Sequence, residues 1–163
     1  LDRGDRDPQL AGRMSTFETA RGLRDLAPRA LDISLESPAT LALYGAKPGD
    51  RSSYAAQCLM ARRLIEHGVR FVEIIGAVGA CRDNWDAAHR DVGTHAKYAR
   101  RVDRPIAGLI QDLKSRGMLD ETLLVFCTEF GRSPWAQDGK GTKSRTHHPN
   151  AFSCWLAGGQ MEP

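Results

Sequence analysis

"TLLVFCTEF", residues 122–130, is the stretch on which the reading of the fold turns. Leu123 to Cys127 form an unbroken apolar run, the composition of a central strand covered on both faces. The run then delivers Glu129 into a long polar segment, "GRSPWAQDGKGTKSRTHHP" at 131–149, which returns with His147 and His148. A carboxylate at the end of an apolar run is costly unless it is paired or coordinated.

Working outward, the chain alternates helix and strand patterns. "SSYAAQCLMARRLIEHG" (52–68) places Tyr54, Cys58, Ala61, Leu64 and Ile65 on one helical face, and Gly68 is its stop. "VRFVEII" (69–75) follows with the β-branched composition of a strand. "AKYARRVDRPIAGLIQDLKSRG" (96–117) repeats the order, with Val102, Ile106, Leu109, Ile110 and Leu113 at helical spacing. Pro105 opens or kinks this helix. "NAFSCWLAGG" (150–159) is a third candidate strand. Two shorter helices are expected earlier. One starts at Ser15, with Glu18 as its capping-box partner, and the other runs from Ser37 and Pro38 to Gly45.

The alternation predicts an α/β fold, a three-layer sandwich with a mostly parallel central sheet. Residues 1–14 read as a frayed polar segment, and 15–163 as a partial α/β domain truncated at both ends. A chain that opens on Leu1 and closes on "AGGQMEP" reads as an excised piece.

Composition narrows the function classes. Of 163 residues, 41% are hydrophobic and 26% charged, as in a soluble globular domain. No run approaches the ~20 apolar residues of a membrane span. A net charge of +3, with basic and acidic residues interspersed, gives no nucleic-acid footprint. Cys58, Cys81, Cys127 and Cys154 have wide spacings without a CxxC pair, which argues against a disulfide scaffold and a cysteine zinc knuckle. Cys127 and Cys154 sit in apolar runs and read as buried thiols. "GAVGAC" (76–81) lacks the third glycine of a dinucleotide fingerprint, and neither a P-loop nor GxSxG occurs.

In a parallel α/β sheet, loops at the carboxyl ends of the strands converge on one crevice. Strand 69–75 leads to Asp86, His89 and His95, and the second strand leads to Glu129, His147 and His148. Carboxylate oxygens with imidazole nitrogens suit zinc, manganese or a related divalent ion. Arg132 offers a fork for a tetrahedral oxyanion. His147 and His148 are adjacent, so their side chains diverge and both rarely hold one ion. Singly, each residue has a plainer role: Asp86 as a turn or cap residue, His89 and His95 as exposed loop histidines. His67 fits a helix C-terminus, where its charge favours the dipole. Cys58 and Arg62 share the outer spacing of the sulfatase pattern C-x-P-x-R. Met60 replaces the proline there, and the segment is an amphipathic helix, so Cys58 reads as core.

The strings "QCLMARRLIEHGVRFVEI", "NWDAAH", "RPIAGLIQDLKSRGMLDETLLVFCTEFGRSP" and "RTHHPNAFSCWLAGG" together resemble an uncharacterised bacterial family labelled as sulfatases, within the alkaline phosphatase and sulfatase superfamily. The resemblance runs from Pro38 to the end, and more weakly over 15–37. It implies the α/β sandwich, two metal ions (usually zinc) or one calcium, and sulfate or phosphate esters as substrates. It further implies Asp86 with His89 or His95 as one ligand cluster, Glu129 as a metal-binding carboxylate, His147 as the last histidine ligand, and export from the cytoplasm.

The chain departs from that pattern at two places. An extra alanine stands between Asp86 and His89, and Thr146 replaces an aspartate. The superfamily's nucleophile lies in an N-terminal half that this chain lacks, so the piece alone is expected to be inactive. The functional expectation is therefore a fragment of a metal-dependent hydrolase of sulfate or phosphate esters. The alternative is a non-catalytic binding or structural module with at most a structural metal.

Overall fold

The computed structural model describes residues 8–76, 84–137 and 142–160. Among the described residues four helices dominate: α1 Pro8–Leu31, α2 Pro38–Tyr44, α3 Tyr54–Glu66 and α4 His95–Ser115. Single 3₁₀ turns at Ile33–Leu35, Trp85–His89, Val92–Thr94 and Leu119–Glu121 link them. Four short strands follow: β1 Leu124–Cys127, β2 Gly131–Arg132, β3 His147–His148 and β4 Cys154–Ala157. No described helix is long and apolar enough to cross a membrane.

The local signals explain the helices. Ser37 accepts a bond from Thr40 N ahead of Pro38, and Ser53 accepts one from Ala56 N, so each hydroxyl satisfies an otherwise orphaned donor. Gly68, at φ +85°, takes the left-handed turn that ends α3 without a Cβ penalty. α1 begins seven residues before Ser15, which lies inside it, and Pro105 lies within α4 rather than at its start.

The core lies where α2, α3 and α4 meet, around Ile33, Leu41, Tyr44, Leu59, Leu109 and Leu113. Cys58 is fully buried in it, and burial pushes its thiol up to about 12. At its rim sits an ion cluster. Arg62, 1% exposed, lies 2.7 Å from Glu36, 2.5 Å from Glu66 and 2.9 Å from Asp112. Its Nη2 and Nε reach Glu36 and Asp112, respectively, at ion-pair distance but off hydrogen-bond geometry. Arg63 also binds Glu36, Arg116 Nε donates to Asp112 at 2.7 Å, and Tyr44 donates to Asp112 at 2.9 Å. Each buried acid therefore has two cationic partners.

The expected parallel-sheet sandwich is not what forms. The strands make two antiparallel two-stranded ribbons, β1 with β4 and β2 with β3. Residues 69–76 form no regular element and have no ladder partner among the described residues, so the predicted strand 69–75 joins no sheet. The physical reason lies in burial. A central strand is covered on both faces, whereas β1 alternates, with Leu124 and Phe126 half-buried and Val125 and Cys127 exposed. The half-buried face is pinned by Phe126 stacking on Trp155, with ring centroids 5.3 Å apart. The core is built by helices, and the ribbons lie at its side.

Candidate metal centre

The candidate site is built from three short segments. Asn84 Oδ1 accepts from Asp86 N at 2.8 Å and starts the 3₁₀ turn Trp85–His89. With three residues per turn, positions 86 and 89 eclipse, so both side chains leave the same side. The second segment is stitched to that turn by Arg145 N to Ala88 O at 2.9 Å, and to the 3₁₀ turn Val92–Thr94 by Val92 N to Lys143 O at 2.9 Å. It enters β3, whose His147 stands opposite Arg132 of β2. Gly131 makes this ribbon possible, because a Cβ there would lie 1.9 Å from Ala151 O.

These segments bring Asp86, His89 and His147 together, with one ligand atom from each inside a 4.8 Å cluster. Asp86 Oδ1 is 2.9 Å from His147 Nε2 and 3.0 Å from His89 Nε2. The two imidazoles tilt across one another with centroids 4.9 Å apart, and Phe130 meets the edge of His147. The three side chains are about one-third exposed, so solvent reaches the cluster.

Two surrounding contacts set its chemistry. His89 Nδ1 lies 2.7 Å from Gln137 Oε1. That oxygen accepts from Nδ1–H, which leaves Nε2 turned to Asp86 Oδ1. At 3.0 Å, Nε2 and the carboxylate oxygen can share a cation, either a proton or a metal ion. Arg132 supplies the second contact, donating from Nη2 to Asp86 Oδ1 and to Trp85 O, each at 3.2 Å. The bond from His147 leads and the Arg132 guanidinium and His89 add to it, holding the Asp86 carboxyl below its ordinary range despite some desolvation. Asp86 therefore stands as a carboxylate.

The remaining sequence-predicted residues are placed elsewhere. His95, at the start of α4, uses Nε2 on Trp85 O at 3.0 Å and packs edge-on against Trp85. Glu129 is exposed in the turn after β1 and joins no ligand cluster among the described residues. Arg132 spends its fork on Asp86 and on the carbonyls of Trp85 and Arg145, where Nη1 donates at 3.3 Å. His148 turns away from His147 towards Trp135, as adjacent strand residues must. The segment after the predicted strand 69–75 lies partly at 77–83, outside the described residues.

Two residues went unnoticed in the sequence. Gln137 holds His89, and Arg90 lines a cleft of about 470 Å³ with His89, Gln137, Thr142 and Ser144. Arg90 is exposed there and makes no ion pair among the described residues. Its signal was the position directly after the Asp-x-x-His turn.

A family model described as "Protein of unknown function (DUF1501)" matches residues 1–163, so the chain belongs to that family. This corrects the resemblance to a sulfatase-labelled family of the alkaline phosphatase and sulfatase superfamily. The match is to a family with no assigned activity, and the parallel sheet that the superfamily would require is replaced by antiparallel ribbons. Comparisons with curated proteins and with solved structures returned no match.

Proposed function

We propose that, in this family of unknown function, Asp86, His89 and His147 hold one divalent transition-metal ion, zinc foremost, at the centre of a hydrolase acting on phosphate or sulfate esters. The observation that carries the proposal is the convergence of His89 Nε2 and His147 Nε2 on the Asp86 carboxylate, with His89 held through Nδ1 by Gln137. Tetrahedral zinc with bonds of ~2.0–2.1 Å separates its ligand atoms by about 3.3 Å. The contacts of 2.9 and 3.0 Å need open only a few tenths of an ångström to admit it. Manganese and calcium prefer more oxygen ligands than this donor set offers.

Three protein ligands leave a tetrahedral ion one open position, the arrangement of catalytic rather than structural zinc. An ion there would polarise an ester oxygen and lower the pKa of a bound water. Gln137 fixes the tautomer of His89, and Arg132 orients Asp86 and keeps it ionised. Arg90, on the cleft wall, is the cation available to an anionic substrate, since Arg132 is committed elsewhere.

That commitment of Arg132 also favours a second reading, a structural metal with no turnover. Cobalt substitution separates the two. A visible d–d spectrum that shifts when inorganic phosphate is added indicates an exchangeable position and supports the hydrolase. A cobalt spectrum indifferent to phosphate, with aryl phosphates and aryl sulfates left uncleaved by the metal-loaded protein, would leave only the structural reading. In the hydrolase case, Arg90→Ala is expected to raise KM about tenfold with a smaller change in kcat.

A further inference from the structure

β1 and β4 place two cysteines directly opposite one another, Cys127 against Cys154. Thr128 N donates to Ser153 O at 3.0 Å, which makes 128 and 153 a hydrogen-bonded pair of the ladder. The next pair inward, Cys127 and Cys154, is therefore of the non-hydrogen-bonded kind, in which opposed Cα atoms approach to about 4.5 Å. That spacing lies inside the range a disulfide spans, about 4.4–6.8 Å. The sulfurs are already 3.6 Å apart. Closing to a bond of about 2.05 Å takes a movement of about 1.5 Å, within reach of rotation about the two Cα–Cβ bonds.

Both thiols are exposed, contrary to the expectation that apolar flanks would bury them. They share the open face of the ribbon with Val125 and Leu156, while Leu124, Phe126, Trp155 and Ala157 take the covered face. A solvent-borne disulfide or peroxide can therefore reach either sulfur. Cys58, by contrast, is fully buried.

We propose that Cys127 and Cys154 are a thiol–disulfide redox pair that forms a cross-strand bond tying β1 to β4. With a low-molecular-weight disulfide such as oxidised glutathione as oxidant, the thiolate of one cysteine attacks a glutathione sulfur. The glutathione S–S bond breaks, and one glutathione thiolate leaves. The opposite cysteine, deprotonated in turn, attacks the mixed disulfide at the protein sulfur and expels the second glutathione. The protein loses two protons and two electrons, and the oxidant is reduced to two thiols. Hydrogen bonding with Cys127 raises the Cys154 thiol above its ordinary range, so the exchange accelerates with rising pH.

The bond would close a loop spanning 27 sequence positions. That loop contains Arg132, Gln137 and His147, so oxidation staples the base of the segment that carries one of the three ligands. The redox proposal is independent of the metal reading, because the pair lies in β1 and β4 and touches none of the three ligands.

The test uses the full chain with Cys81→Ser as background, reduced and then equilibrated with oxidised glutathione. Intact mass should fall by two hydrogens, and a peptide map should join the Cys127 and Cys154 peptides. Tm should rise by roughly 5–10 °C and return on adding dithiothreitol. In the same background, Cys127→Ser or Cys154→Ser should take up one glutathione as a stable mixed disulfide, with no such rise in Tm. Two free thiols, two separate glutathione adducts, or a bond between two chains in the Cys127/Cys154 protein would each overturn the proposal.

Discussion

Arg62→Met should destabilise the protein by about 3 kcal/mol at pH 7. The substitution keeps an unbranched apolar stem in the space of a side chain that is 1% exposed. What it removes is the cation between Glu36 and Asp112, whose side chains are only 8% and 7% exposed. Breaking a buried pair by deleting one partner costs about 3–5 kcal/mol, because the remaining charge is stranded. The low end applies here, since Glu36 keeps Arg63, and Asp112 keeps Arg116 and Tyr44. With a urea m-value of about 2 kcal/mol/M, the unfolding midpoint should fall by about 1.5 M. Equilibrium urea titration followed by far-ultraviolet circular dichroism reads this directly. Adding Asp112→Asn to Arg62→Met should restore part of the loss, because Asp112 then carries no buried charge while Glu36 keeps Arg63 and Arg116 keeps Glu66. A midpoint change below about 0.3 M for Arg62→Met alone would refute the reasoning and place the cluster in solvent.

Other outcomes follow from the same contacts. Gly22→Ala should stabilise α1 by up to about 1 kcal/mol, since nothing lies within 4 Å of the added methyl and alanine favours helix. Gly108→Ala should instead destabilise by about 1–3 kcal/mol despite the same propensity gain, because its Cβ would meet Leu43 O at 3.0 Å and Tyr44 Cα at 3.1 Å. Thermal melts of the two variants should move in opposite directions. Burial would push the Glu36 carboxyl up, but the hydrogen bond from Arg63 and the adjacent Arg62 guanidinium outweigh it and hold it below its ordinary range. Its stabilising contribution is therefore full above the unfolded value of about 4.3 and lost as pH falls through the lower folded one. Plotted against pH, the Tm of Glu36→Gln should lie below wild type at pH 7, with the gap closing at acidic pH; a gap unchanged down to pH 3 would contradict the assignment.

Helices were legible because their signals are local. Ser37 with Pro38, Ser53 and the stop at Gly68 need no knowledge of the rest of the chain. Strand order was not, because pairing is non-local: "LLVFC" and "CWLAGG" carry the same apolar composition whether a partner runs parallel or antiparallel. Only the alternating burial of Val125, Phe126 and Cys127 shows that one face of β1 stays open. The triad was half-legible. Asp86, His89 and His147 stand out in the sequence, but the extra alanine reads there as a departure from the family pattern rather than as the three-residue period of a 3₁₀ turn. His95 stays out of the ligand cluster; it is bound instead to the Trp85 carbonyl, a contact the sequence does not encode locally. Glu129 follows its apolar run into solvent, so the burial cost that singled it out never arises.

Metal binding at the triad is the claim on which the account rests. Isothermal titration of zinc into metal-stripped protein, checked by elemental analysis after gel filtration, measures it most directly. The account predicts one equivalent for wild type, and loss of at least a hundredfold in affinity for Asp86→Asn and for His147→Ala. Glu129→Ala and His95→Ala should bind as wild type does. Wild-type protein that retains no zinc, or His147→Ala that retains a full equivalent, would contradict it.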